Sequence, residues 1–182
     1  LMTYQCDEFY FLTDPEEHIY QHYPDAEHWQ LLKNPVSLKD FVKLPVVKSP
    51  FFNNKLGFVE HIESILETNS GLVELRLRTP KLMSFVAKLK SRDKRIPPEV
   101  LKDRTLVRTI SNDVIFTVNL PSPGAFYLEL FASSKWGSES MDNICAFQIK
   151  CTSVLRDAQL SFPQIGCFGR TPRFQKYGLS EQ

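Results

Sequence analysis

From Gly71 onward, apolar and polar side chains alternate with a period of two, and this restricts the chain more than any other feature of its sequence. In Leu72-Val73-Glu74-Leu75-Arg76-Leu77-Arg78, the odd positions are apolar (Val73, Leu75, Leu77) and Glu74, Arg76 and Arg78 fall between them. An extended strand sends successive side chains to opposite faces, so this pattern gives one buried and one wet face. Met83, Phe85, Ala87 and Leu89 repeat it, with Lys88 and Lys90 outside. Leu106–Ile110 and Val114–Leu120 read as a hairpin turned at Ser111-Asn112-Asp113, with Val114, Phe116 and Val118 inward. Pro121-Ser122-Pro123-Gly124 is a further turn. Phe126, Leu128 and Leu130 then alternate with Tyr127, Glu129 and Phe131, and Cys145, Phe147, Ile149 and Cys151 form a last strand. With a strand near Leu56–Val59, about seven short strands follow one another without a long helix, the pattern of an antiparallel β-sandwich.

The preceding residues differ in kind. Residues 1–32 contain seven acids and no Lys or Arg, so within a net charge of +1 the remaining 150 residues carry +8. Such asymmetry marks a separate structural unit. Phe9-Tyr10-Phe11-Leu12 reads as a buried strand end. Thr13 or Asp14 is placed to cap a helix with Pro15, Glu16 and Glu17 in its first turn and its end near His22-Tyr23-Pro24. Ser37–Phe41 starts a second short helix stopped by Pro45. Trp29, Leu31, Leu32 and Phe41 are the expected anchors of this acidic arm, and the outward-facing Tyr127 and Phe131 are where it is expected to dock. The resulting division is an arm over 1–54, a sandwich over 55–154 and a linker over 155–182. Pro172-Arg173-Phe174-Gln175-Lys176-Tyr177-Gly178-Leu179 echoes Pro50–Phe58 some 122 positions later, as if a second sandwich were beginning.

Composition narrows the function. With 42% hydrophobic residues and 14 Phe, 6 Tyr and 2 Trp, the chain is not of the disordered class. The longest charge-free run, Val114–Leu128, has 15 residues and two prolines, short of the ~20 apolar residues a bilayer span needs. The first residues lack a basic stretch leading into an apolar one, so no signal peptide is expected. Near-neutral charge leaves no overall field for nucleic acid. Lys88–Arg108 holds eight basic residues, among them Lys94, Arg95, Arg104 and Arg108, but no aromatic to stack on a base. It reads as a charged loop, with docking of the acidic first segment of the same chain, of an acidic partner or of an anionic membrane surface as sharper alternatives.

Reactive chemistry is thinly represented. Cys145 and Cys151 share a strand roughly 20 Å long at about 3.3 Å per residue, too far apart to bridge, and the four thiols form no CxxC pair. Cys6 lies near the histidines but on no helix start that would sharpen it as a nucleophile. His18 and His22 have the i, i+4 spacing of some zinc ligands without a further ligand at telling distance, which favours packing. No catalytic residue, metal or cofactor is expected.

The run Cys6-Asp7-Glu8-Phe9-Tyr10-Phe11-Leu12-Thr13-Asp14-Pro15-Glu16-Glu17, then Ile19-Tyr20, His22-Tyr23-Pro24 and Trp29-Gln30-Leu31-Leu32, resembles the end of the transglutaminase-like core in the kyphoscoliosis peptidase and hillarin family. Gly71–Leu77, Pro123–Ala132 and Phe162-Pro163 resemble that family's immunoglobulin-like repeats. Phe126 stands where a tyrosine corner would have Tyr, and the Cys-Trp-Cys core of antibody domains is missing. The resemblance implies an immunoglobulin-like domain, a catalytic Cys-His-Asp set lying upstream of this chain, a cytoplasmic, cytoskeletal setting, and protein partners such as filamin-like cross-linkers. The expected role is a non-catalytic interaction and spacer module. The alternative is an accessory domain of an active cysteine peptidase or transglutaminase. Expected protein-binding residues are Tyr127, Phe131, Lys94, Arg95, Arg104 and Arg108.

Overall fold

The computed structural model describes residues 8–134, 140–159 and 161–162. Cys6, Cys167 and the echo at Pro172–Leu179 lie outside these, as does most of the 155–182 stretch. Nine strands are found among the described residues: β1 (Val46–Val47), β2 (Gly57–Phe58), β3 (Ile65–Thr68), β4 (Leu72–Arg78), β5 (Ser84–Ser91), β6 (Thr105–Ile110), β7 (Asp113–Asn119), β8 (Gly124–Ser133) and β9 (Asp142–Cys151). One sheet runs β1-β9-β8-β5 with β3 also on β9, and the other runs β2-β4-β7-β6. The expected seven strands are present, and the fold is mainly β and immunoglobulin-like.

The alternation sets the core. Val73, Leu75 and Leu77 of β4, beside the inner residues of β7 in the same sheet, pack with Phe85, Ala87 and Leu89 of β5 and the inner sides of β8 and β9 in a single cluster. Phe85 and Phe116 meet edge to face at 6.0 Å across it, a favoured aromatic geometry. Cys145 and Cys151 are free, buried thiols. At the Leu130/Phe131 bulge, Leu130 pairs with Cys145 and Phe131 with Asn143. This leaves Ile144 as the extra residue, and its carbonyl accepts from the Lys48 N–H at 2.9 Å.

Several local expectations give way. β1 and β3 carry too little alternation to be read as strands, and both owe their form to β9. β1 pairs antiparallel with Cys145 and Ala146, while β3 pairs parallel with Gln148–Cys151, so the sandwich is not wholly antiparallel. β7 is buried on both faces rather than one, because β4 and β6 flank it and the Glu74–Arg76 and Glu74–Arg108 ion pairs belong to strands on either side of Ile115 and Thr117. The basic stretch 88–108 is not one loop. Lys88 and Lys90 sit on β5 and Arg108 on β6, and the connection between includes a one-turn helix, Pro98–Leu101. Phe9–Leu12 is no strand end: Glu8–Tyr10 is a 3₁₀ turn, and Phe11 and Leu12 are exposed.

Gly71 enters β4 at φ +79°, and a Cβ there would lie 2.8 Å from Val154 Cγ1. Strain and overlap act together, so Gly71→Ala is expected to lower stability in urea melts by about 2 kcal/mol, more than the few tenths expected of Gly57→Ala in open space.

Candidate protein-interaction face

Where the arm goes decides which surface stays open. Its first helix, α1 (Pro15–His18), begins as expected with Pro15 at N1, but it lasts four residues, and the Asp14 backbone carbonyl rather than a side chain receives the Glu17 and His18 amides at 3.0 and 2.9 Å. α2 (Leu38–Phe41) is capped by the Ser37 hydroxyl accepting from the Asp40 amide. A third helix, α3 (Ser49–Asn53), supplies Phe51 and Phe52.

Aromatic rings join arm to sandwich in a continuous file. Phe9 stacks on Phe52 at 5.3 Å, and Tyr20 lies 5.8 Å from Phe52. Phe51 then meets Phe58 at 4.9 Å, and Phe58 meets Phe147 of β9 at 6.2 Å. The anchors are therefore Phe9, Ile19 and Tyr20, and the expected ones are displaced. Trp29 is 68% exposed, its nearest ring that of His28, and Leu31 is 75% exposed. Leu32 and Phe41 are half-buried, Phe41 against Tyr23 at 5.0 Å. The reason is Gln30, which takes the inner place in the 3₁₀ turn Glu27–Gln30. Its carboxamide accepts from the Val36 amide at 2.7 Å and donates to the Val36 carbonyl at 2.8 Å.

His18 and His22 stack at 4.8 Å beside a cleft of about 450 Å³ shared with Tyr23 and Trp29. Burial and then the neighbouring His22 push the His18 pKa down. Among the described residues no three His, Cys, Asp or Glu side chains are grouped to hold a metal. Burial drives the Cys145 thiol far above its ordinary pKa, and Cys151 is also raised while donating to the Ser153 carbonyl. Neither is a ready thiolate.

Among the described residues of the arm, only Val46 shares a groove with Tyr127. Tyr127 and Phe131 lie on the outer face of the β5-β8-β9 sheet, half-buried beneath cations: Lys88 Nζ is 4.7 Å from the Phe131 ring centroid, and Arg92 Cζ is 4.8 Å from that of Tyr127. Register explains this. Lys88 faces Glu129 and Lys90 faces Tyr127 across the β5–β8 ladder. Lys90 reaches diagonally to Glu129 at 2.7 Å, while Lys88 and Arg92 turn to rings. On the far side, Tyr127 is level with Gln148, and Glu129 with the small Ala146. The low ground above Ala146 is a groove of about 540 Å³, walled by Val46, Ser64 and Ile65 on one side and by Lys90 and Arg92 on the other. Val46 is 57% exposed. Among the described residues, none before Val46 lines the groove.

The other expected binding residues do not join this face. Arg95 is tied to Asp93 at 2.7 Å, which holds the Asp93 carboxyl down at about 2. Lys94 is exposed on the same turn. Arg104 donates to the Val100 carbonyl at 3.1 Å and to Ala158 at 3.3 Å, fastening the last described turn. Arg108 belongs to the opposite sheet, 3.6 Å from Glu74. Lys88 and Arg92 were present in the basic run but indistinguishable from their neighbours there; a cation diagonal to an outward aromatic on a paired strand is the signal that separates them. No helix of the described residues is long and apolar enough to cross a membrane.

Residues 38–163 match the family described as KY-like, immunoglobulin-like domain. The chain is 32% identical over 197 residues to hillarin of Drosophila melanogaster, a match covering 98% of this chain and 24% of that protein. It is 32% identical over 169 residues to the Lim and transglutaminase domain protein ltd-1 of Caenorhabditis elegans, covering 84% and 23%. Kyphoscoliosis peptidase of Mus musculus is 31% identical over 160 residues, covering 87% and 22%. The chain thus spans about a quarter of the length of these relatives.

Two outcomes follow for the arm. Phe52→Ala should cost about 2 kcal/mol in chemical denaturation, whereas Trp29→Ala should cost under about 0.5 kcal/mol, reversing the order that hydrophobicity alone suggests. The folded state holds the His18 proton less tightly than the unfolded chain. The stability it contributes is therefore complete above the ordinary pKa of 6.5 and declines as pH falls through that value. Glu17, raised by burial and by Asp14, acts lower and oppositely, restoring stability as pH falls toward its ordinary 4.5. Protection of the Asp14–His22 amides, with exchange rates referred to the intrinsic rate at each pH, should fall as pH drops below about 6.5, and His18→Gln should flatten that change.

Proposed function

Since this chain belongs to the KY-like, immunoglobulin-like domain family, we propose that it serves as a non-catalytic interaction and spacer module within a longer, cytoskeleton-associated, transglutaminase-like protein. The observation that carries this reading is the outer face of the β5-β8-β9 sheet, where Tyr127 and Phe131 lie under Lys88 and Arg92 beside an open groove. Aromatic and Arg side chains grouped on a rigid sheet are the composition of binding hot spots. The groups are preorganised by strand register, so binding orders few side chains. The described thiols are buried and hold their protons, which suits a contact surface and not acyl transfer.

Partners of the filamin-like cross-linker kind, in a cytoplasmic setting, follow from the family likeness and remain part of the proposal. β9 is sealed on its outer edge by β1 and β3, so main-chain strand addition is left to other edges such as β5, beside recognition through the face.

A second reading, an accessory domain that positions substrate for an upstream cysteine centre, draws on the printed names of two relatives, a peptidase and a transglutaminase domain protein. The two separate on one measurement. Titrating purified filamin immunoglobulin repeats against this chain, Tyr127→Ala and Phe131→Ala should each weaken binding about tenfold, while Arg95→Ala changes it less than about twofold. Unaltered binding in both aromatic variants would remove the face from the proposal. Loss of parent turnover with partner binding intact would favour the accessory reading.

A further inference from the structure

The acidic arm and the cationic face each present what the other lacks. Residues 8–32 hold six carboxylates and no Lys or Arg. Within them, the 3₁₀ turn Glu27–Gln30 and the left-handed Leu31 (φ 57°) turn Trp29 and Leu31 out to 68% and 75% exposure, beside the exposed acids Asp25 and Glu27. An apolar knob in a negative collar results. On the face, Lys88 and Arg92 have no carboxylate partner among the described residues and rest on aromatic rings instead. Among the described residues of one copy the two do not meet: Trp29 lines the His18–His22 cleft, and the groove is lined from Val46 onward.

We propose that the 25–31 segment of one copy docks in the groove of a second copy, with Trp29 against Val46 and Tyr127 and with Asp25 and Glu27 facing Lys88 and Arg92. The inference rests on the reading of this face as a contact surface and names one occupant for it. Opposite charge brings the pieces together and selects orientation, and burial of an exposed indole supplies affinity. The contact is heterologous: each copy keeps one free knob and one free groove, so association continues head to tail unless it closes into a ring.

Sedimentation velocity of the full 182-residue chain tests this. The weight-average mass should rise above 21.1 kDa with concentration and fall back toward it in about 0.5 M salt, where exposed charges are screened. Trp29→Ala, and separately the double variant Lys88→Glu with Arg92→Glu, should each stay monomeric. Mixed in equal amounts they should form a dimer and stop there, because each supplies the half the other has lost. A monomer at every concentration overturns the proposal, as does association surviving in either variant or a mixture that stays monomeric. Should the double variant fail to fold, Asp25→Lys with Glu27→Lys should stay monomeric and, lacking the same half, form no dimer with Trp29→Ala, and a synthetic peptide of residues 24–32 should dissolve the wild-type assembly. Trp29→Ala keeps the whole face, so its binding to filamin repeats reports on the partner reading independently.

Discussion

β9 carries bonds on both edges and side chains on both faces, and the other elements take their places from it. β8 runs along one edge for nearly its whole length, while β1 and β3 divide the other. Its inward residues close the core, and Phe147 extends that core toward Phe58 and the arm. A strand so enclosed fixes the height of Ala146 and Gln148 on the outer face, and hence the groove. The bulge at Ile144 sets the turn of β9 against Phe131, so the same irregularity that buries two successive side chains also positions one of the two outer-face rings.

Charge on this molecule is distributed by sheet rather than by sequence neighbourhood. The basic run between β5 and β6 comes apart into four settings. Lys88 and Arg92 cover rings, Lys90 meets Glu129, Arg95 holds Asp93, and Arg104 binds backbone carbonyls. Lys88 and Arg92 combine a cation resting on a ring with no ion-pair partner among the described residues. Exposed ion pairs contribute little to stability, so the consequence of this sorting is a surface on which charge and aromatic area coincide.

The arm shows how packing overrules hydrophobicity. Trp29 and Leu31 are among the most apolar residues of their segment, yet Gln30 is the one buried, because a carboxamide satisfies both the amide and the carbonyl of Val36 where a closed turn needs them. The rings that do bind the arm form a file of short contacts from Phe9 to Phe147. An exposed Trp next to unpaired acids is what such an arrangement leaves over.

Period-two alternation by itself determined the two-sheet core, because each inward series, such as Val73-Leu75-Leu77, hides its apolar side chains only against a second sheet. Tertiary structure decided the rest. β1 and β3 are too short to declare themselves and exist because β9 had an edge to fill. Trp29 or Gln30 could each have turned inward, and only the position of Val36 chose between them. Lys88 and Lys94 are alike as sequence; which of them lies over a ring depends on a diagonal between paired strands, and such a relation arises only when residues some forty positions apart are brought side by side.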